Sequence, residues 1–200
     1  GRTEFFMSLP YLRLPFSPLP DPAAVVQEGS VRFSVLTSRL LRLEYSPTGQ
    51  FEDAPSQAFW QRRQPVPAFD VRRNASSVEL ETEHLLLRYG ENRRGFTPVS
   101  LSITLKANGV TWCYGDRIWK SGDLKGTTRT LDEVNGAVSL EPGLMARNGW
   151  AVVDDSQSLV FTPDGWVAPR AALDNLDLYF FGYGHDYAAC LQDFQKVAGQ

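Results

Sequence analysis

Short stretches in which apolar and polar residues alternate recur along this chain, with turn residues between one stretch and the next. Residues 100–105 are the clearest of them, since Leu101, Ile103 and Leu105 alternate with serine and threonine. Successive side chains of a strand point to opposite faces, so this period of two predicts strands that bury one face. Asn108-Gly109, which follows, is a strong signal for a tight hairpin turn. Many such stretches in a row predict a mainly β fold, an antiparallel β-sandwich, rather than βαβ units.

Five further stretches predict strands of the same kind. They are residues 31–35, 41–45, 78–81, 85–89 and 110–113. Within 41–45 the apolar residues Leu41 and Leu43 alternate with Arg42 and Glu44, which form the polar side. Residues 177–182 (DLYFFG) differ, because a continuous apolar run predicts a strand that is buried on both faces.

The two ends of the chain differ from this central part. Residues 1–30 are rich in proline and predict an extended N-terminal arm rather than a strand of the central sheet, with 1–6 interpreted as an addition ahead of a native start at Met7. Residues 31–182 are the predicted sandwich domain. From His185 onward apolar residues recur at helical spacing, so residues 183–200 are predicted to hold the one clear helix.

Residues 123–156 form a long stretch that is rich in glycine and acidic residues and has no sustained apolar period. It also carries too much apolar surface for disorder, so it predicts an ordered, irregular excursion that presents polar groups at one end of the β-scaffold. The end of this stretch and the residues that follow it predict a hairpin, with strands at 151–154 and 158–161. Asp132-Glu133 and Asp154-Asp155 are adjacent acid pairs, but neighbours on a strand point to opposite faces, so a structural role is favoured over a two-carboxyl catalytic site.

Composition excludes several classes of function. A net charge of −3 gives no electrostatic reason to bind nucleic acid or an anionic membrane. His84, Cys113, His185 and Cys190 lack the spacing of a metal site, so neither a metal nor another cofactor is predicted. No apolar run approaches the ~20 residues that span a bilayer, and prolines interrupt the N-terminal region where a signal peptide would lie. With Met7 as the native start, the sequence predicts a cytoplasmic protein.

Five blocks of the chain resemble, in the same order, the N-terminal region of family 31 glycoside hydrolases, which are retaining α-glucosidases, α-xylosidases and related transglycosylases. The blocks are LRLEYSPTGQFEDAPSQAF (41–59), GTTRTLD (126–132), GLMARNGWAVVDDS (143–156), GWVAPR (165–170) and DLYFFGYGHDYAACLQDF (177–194). The resemblance covers most of the chain from about residue 31 onward. It implies a galactose-mutarotase-like β-sandwich whose C-terminal helix leads into a catalytic (β/α)₈ barrel that these residues do not contain.

The resemblance also implies how the parts of the protein share the work. The family's nucleophile and acid/base belong to the barrel, so no catalytic residue is expected in this chain. A loop of the sandwich lends an acidic side chain to the sugar site, and that substrate-binding role is expected at Asp132, Asp154 or Asp155. The implied partners are an α-glucoside or related α-linked oligosaccharide and the protein's own barrel. The linkage, the choice between hydrolysis and transglycosylation, and the formation of a homo-oligomer stay open.

Two other classes of function remain as alternatives. One is a free-standing carbohydrate-binding β-sandwich without hydrolase activity, and the other is an interaction module that contacts no sugar. Stacking on a sugar ring would need an exposed aromatic side chain, whereas a tryptophan in a sandwich is more often part of the core. The candidates are Trp60, Trp112, Trp119, Trp150 and Trp166.

Overall fold

The computed structural model describes residues 16–90, 95–116, 118–120 and 149–198. Within these ranges it contains thirteen strands, a short 3-10 helix at Pro22–Ala24 and one α-helix, α1, at Tyr187–Val197. The strands are β1 (Val25–Glu28), β2 (Val31–Thr37), β3 (Leu40–Tyr45), β4 (Phe69–Arg73), β5 (Ser77–Thr82), β6 (Leu85–Gly90), β7 (Leu101–Leu105), β8 (Thr111–Cys113), β9 (Trp119–Lys120), β10 (Ala151–Asp154), β11 (Val160–Phe161), β12 (Val167–Ala168) and β13 (Leu176–Phe181).

Six of the strands form one sheet in the order β1-β2-β3-β13-β10-β9. Its neighbouring strands are antiparallel except β9 and β10, which run parallel, with Lys120 opposite Asp154. A tight turn cannot join parallel neighbours, and thirty residues separate Lys120 from Ala151 in the sequence. β13 lies at the centre of the sheet although it is the last of these strands in sequence.

Five other strands form an antiparallel meander in the order β4-β5-β6-β7-β8. The predicted turn between β7 and β8 is confirmed: Gly109 has a φ of 71°, and the Asn108 side chain accepts a hydrogen bond of 2.9 Å from the Val110 amide. On the outer face of this sheet Arg72 forms ion pairs with Glu79 and Glu81, at 3.0 and 2.9 Å. That face is therefore polar and exposed to solvent.

The two sheets pack face to face around the main hydrophobic core. Its buried side chains include Val31, Phe33, Val35, Leu41, Leu43, Val152, Leu178 and Phe180 from the six-stranded sheet, and Val78, Leu80, Leu85, Leu87, Leu101, Ile103, Leu105 and Trp112 from the five-stranded sheet. These are the apolar positions of the alternating pattern. The predicted antiparallel β-sandwich is confirmed.

A second, smaller core covers part of the opposite face of the six-stranded sheet, which we call the outer face. Tyr179 and Phe181 of β13 point to it, and Cys190 and Phe194 of α1 pack against them. Phe59 also covers this face, and its ring stacks on that of Tyr179 with centroids 3.6 Å apart. β13 is thus buried on both faces, as its continuous apolar run predicts.

Helix α1 lies within the range 183–200 in which the sequence predicts a helix. The Asp186 side chain caps its first turn by accepting a 3.1 Å hydrogen bond from the Ala189 amide. Its buried residues, Cys190, Phe194 and Val197, recur at three- and four-residue intervals and so lie on one face of the helix. No helix in the described part of the chain is long and apolar enough to cross a membrane.

Two local expectations differ from the structure. Val25–Glu28, the last part of the predicted arm, forms edge strand β1 and pairs with β2. The hairpin predicted between 151–154 and 158–161 is wrong: β10 pairs with β9 and β13, whereas β11 pairs with β12. The reason is that Asp155 and Ser156 leave the strand and form interactions in the interior, as described below.

Candidate functional site

The predicted substrate-binding residues fall in different parts of the structure. Asp132 lies outside the described residues. Asp154 is the last residue of β10, and Asp155 is the first residue after it. In β10 the Val152 side chain points into the main core and the Val153 side chain points to the outer face. The two aspartates therefore lie at the end of a strand that is buried on both faces.

The carboxylate of Asp155 is completely buried. Its Oδ2 accepts a 3.0 Å hydrogen bond from Nη2 of Arg170, and the Ser158 hydroxyl donates to Oδ1. Burial, together with the nearby charge of Asp177, raises the pKa of Asp155, while Arg170 and the hydroxyl groups of Ser158 and Ser56 oppose that rise. Asp155 therefore uses both of its oxygens inside the fold, and its contacts are those of a residue that orders the chain after β10.

Asp177 lies at the centre of a cluster of buried charged side chains on the outer face of the six-stranded sheet, where other segments of the chain cover it. Arg42 donates to both of its oxygens at 2.8 Å, from Nε and Nη2, and Arg170 donates to Oδ2 at 2.8 Å. Burial alone would raise the pKa of Asp177, but the charges and hydrogen bonds of the two arginines outweigh it and lower that pKa well below its usual range. Arg170 thus joins Asp155 and Asp177 with one guanidinium group.

The same buried cluster extends along β2 and β3. Glu44 accepts hydrogen bonds of 2.7 and 3.0 Å from Arg32 and lies 3.1 Å from Nη2 of Arg42. Arg62 donates to the Tyr179 hydroxyl at 2.8 Å and to the Ala54 carbonyl at 2.9 Å. Burial raises the pKa of Tyr179 to about 12, so it stays a neutral phenol.

Asp154 has a more open position than Asp155. It is half-buried, and its Oδ1 accepts a 2.9 Å hydrogen bond from the Ser156 amide. Its partner across the parallel pair is Lys120, the last residue before the segment 121–148 that includes Asp132. Lys120 and Asp154 therefore lie side by side in the six-stranded sheet.

Most of the tryptophans that could stack on a sugar lie in or near the core. Trp112 and Trp150 are buried, and the Trp60 indole packs edge-on against Phe16 and donates to the Gln57 carbonyl at 3.2 Å. Trp166 differs, because it is 75% exposed in the turn between β11 and β12. Its indole is therefore open to a ligand.

The histidines and cysteines do not come together. His84 is hydrogen-bonded to Ser38 at 3.0 Å, Cys190 is buried under α1, and both thiols are free. Among residues 16–90, 95–116, 118–120 and 149–198, no group of three or more His, Cys, Asp or Glu side chains could hold a metal ion.

The structure also brings together residues that the sequence analysis did not single out. Arg42, Arg62, Arg170 and Asp177 are all buried although each is charged. One signal was present in the sequence: Asp177 directly precedes a continuous apolar run, where a charge needs a buried partner. Arg170 also falls in one of the family-like blocks, GWVAPR.

The fold class is a two-sheet antiparallel β-sandwich with a helix on its outer face. No protein-family model and no curated protein sequence matches the chain. Solved structures do match, and two of them are GH31 enzymes, the family that the sequence blocks resemble.

One of these structures is a GH31 α-xylosidase from Xanthomonas citri, with 24% identity, a TM-score of 0.35, and coverage of 46% of this chain and 10% of the enzyme. The other is a variant of the Flavobacterium johnsoniae GH31 dextranase in complex with isomaltotriose, with 13% identity, a TM-score of 0.44, and coverage of 85% of this chain and 26% of the dextranase. The chain thus spans about a tenth and about a quarter of these two proteins. Neither likeness carries the functional argument below.

Proposed function

We propose that this chain is the non-catalytic N-terminal β-sandwich of a retaining α-glycoside hydrolase, where it supports a catalytic barrel and lends a loop to the substrate pocket. One observation carries the proposal: residues 177–194 resemble the family 31 segment that joins sandwich to barrel. In the structure they form the central strand β13 and helix α1, which packs on the outer face. A segment anchored in this way would give an attached domain a rigid base.

The described carboxylates support a non-catalytic role. A retaining glycosidase needs two carboxyl groups about 5–5.5 Å apart that face one sugar. Asp155 and Asp177 both contact Arg170, but they are buried and ion-paired, so a sugar cannot reach them. Asp154 is more open, but its Oδ1 is bonded to the Ser156 amide and its sequence neighbour Asp155 is buried. We therefore assign the catalytic pair to a barrel outside this chain.

For the pocket loop we propose a division of roles among the three aspartates. Asp132 and Asp154 contact sugar hydroxyls, and Asp155 holds the chain after β10 through Arg170. The support for Asp154 is its half-buried position and its pairing with Lys120, which precedes in sequence the segment that includes Asp132. The proposed substrates are α-glucosides or related α-glycosides.

The test compares the complete gene product with this chain. The complete protein should have an intact mass well above 22.4 kDa. It should also hydrolyse p-nitrophenyl α-glucoside or α-xyloside with retention of the anomeric configuration, and proton NMR of the released sugar would measure that configuration. The chain alone should give no turnover above background. A complete protein that lacks α-glycosidase activity, or turnover by the chain alone that is lost in Asp154→Ala, would overturn the proposal.

One observation favours the alternative of a free-standing carbohydrate-binding module, namely the exposed indole of Trp166. An aromatic side chain that stacks on a sugar ring must be exposed to the ligand, and the Trp166 side chain is exposed. On that alternative, the chain alone should bind an α-glucan in isothermal titration calorimetry, and Trp166→Ala should abolish binding. Val99→Ala is the matched control, since Val99 is an apolar side chain that is 95% exposed.

A further inference from the structure

Three buried side-chain atoms in the described residues have no hydrogen-bond partner: Oγ of Ser34, Nη1 of Arg42 and Nη2 of Arg62. All three side chains are 0% exposed. Buried polar groups in native proteins are nearly always paired, because an unpaired one keeps its full desolvation penalty. Three such atoms therefore call for a physical reason.

The three residues are neighbours on the outer face of the six-stranded sheet. Ser34 of β2 lies directly opposite Arg42 of β3, and Arg42 lies directly opposite Tyr179 of β13. Arg62 reaches the same row through its 2.8 Å hydrogen bond to the Tyr179 hydroxyl. Both arginines also donate to carbonyls of one short segment, at Glu52 and Ala54. The unpaired atoms thus belong to side chains of one buried cluster.

The chemistry of these atoms identifies the missing partner as an acceptor. Guanidinium nitrogens only donate, and a hydroxyl can donate as well. The Tyr179 hydroxyl accepts from Arg62, so its own proton is also available to an acceptor. A second guanidinium or an ammonium group could not accept a hydrogen bond from either arginine.

The charge of the site favours an anion. The buried carboxylates Glu44, Asp155 and Asp177 are paired with Arg32, Arg170 and Arg42. Arg62 is fully buried and forms no ion pair within 4.0 Å among the residues that the structure describes, and the nearby charge of Asp177 is already shared by Arg42 and Arg170. A buried cation without a counter-ion is strongly unfavourable.

We propose that Ser34, Arg42 and Arg62 form a binding site for a small monovalent anion of the chloride type, enclosed between the outer face and residues 52–62. The anion accepts hydrogen bonds from the Ser34 hydroxyl and the two guanidinium groups. It gives Arg62 an ion-pair partner of its own. Because the ligand binds only the folded chain, it stabilises the fold by mass action.

The first experiment measures the thermal unfolding of the chain in sodium chloride, sodium bromide and sodium gluconate at equal ionic strength and pH 7. At about ten times Kd, chloride should raise Tm by roughly 3–6 °C over gluconate, and the rise should saturate. Ser34→Ala should reduce that rise, since it removes one donor and leaves the fold intact. Ser102→Ala, on the exposed outer face of the five-stranded sheet, should keep it.

The second experiment does not depend on a variant that folds. Crystals soaked in bromide should give an anomalous peak within hydrogen-bonding distance of Nη1 of Arg42 and Nη2 of Arg62. A density peak without anomalous signal at this position, together with equal Tm in chloride and gluconate, would mean an internal water and would overturn the proposal. Equal Tm in the three salts with no density peak would overturn it too.

Discussion

Asp177→Asn should destabilise the fold far more than the loss of a typical ion pair. Three hydrogen bonds of 2.8 Å end on this carboxylate, and they come from Arg42 and Arg170, whose side chains are 0% and 3% exposed. The amide cannot balance the charge of either guanidinium. Removing one partner of a buried ion pair typically costs about 3–5 kcal/mol. Since domains are stable by only about 5–15 kcal/mol, this loss is a large fraction of the total.

The assay is urea unfolding followed by tryptophan fluorescence, since Trp112 and Trp150 are buried in the main core. Glu79→Gln is the matched control, because Glu79 also accepts from two arginines, Arg72 and Arg88, but on the exposed outer face of the five-stranded sheet. We expect no measurable change there. A loss below about 1 kcal/mol for Asp177→Asn would refute the view that the buried charges act as one cluster.

The pH dependence of the same variant gives an independent check. The pKa of Asp177 is lower in the folded chain than in the unfolded one, so its ionised form adds stability that is fully present above the unfolded value of about 3.9. That stability is lost as pH falls through the folded pKa. The difference in unfolding free energy between the natural chain and Asp177→Asn should therefore narrow below about pH 4. A difference that stays constant from pH 6 to pH 2.5 would argue against an ionic origin.

Three further predictions concern other parts of the molecule. Gly149→Ala should lower the free energy of unfolding in urea by about 1–3 kcal/mol more than Gly165→Ala does. Both glycines have a positive φ. A Cβ at position 149 would lie only 2.8 Å from the Gly184 Cα, between β13 and α1, whereas a Cβ at position 165 would meet nothing within 4 Å. Equal losses would show that only backbone strain matters. Burial and nearby acidic side chains raise the pKa of Cys190 to about 12, so this thiol should not react with Ellman's reagent in the folded chain. The half-buried Cys113 should react. Rapid modification of both thiols would contradict the packing of α1. In the complete enzyme, Asp132→Ala should lower kcat/KM roughly ten- to a hundredfold with Tm unchanged, and a lowered Tm with normal kcat/KM would remove it from the sugar site.

The alternating pattern was enough to predict the sandwich and the side chains that fill its main core. Leu101, Ile103 and Leu105 point inward as expected, and the continuous apolar run of β13 is buried on both faces. These predictions depend on the geometry of a single strand, which each stretch of sequence carries within itself. The helix could be predicted for the same reason, since its cap at Asp186 and its apolar face are local features.

The buried charges could not be predicted in this way. Arg42 and Glu44 occupy the polar side of β3, and a period of two indicates only that the two sides differ. Whether the polar side meets water depends on segments far away in sequence, here residues 50–62 and 155–170, which cover the outer face. The pairing of β10 with β13 depends on equally distant contacts, so the local hairpin signal around Asp154 was misleading.

The central position of β13 has a consequence for how this chain folds as it leaves the ribosome. The five-stranded meander pairs only neighbours in sequence, so it can form as soon as residue 113 has emerged. The six-stranded sheet cannot form so early, because β13 (Leu176–Phe181) pairs with both β3 and β10 and is the last of its strands to be synthesised. Until then β3 carries an unpaired edge, and Arg42 lacks Asp177, although it keeps Glu44 of its own strand. At about 5–20 residues per second, the nascent chain spends several seconds with this edge open to pairing with other chains.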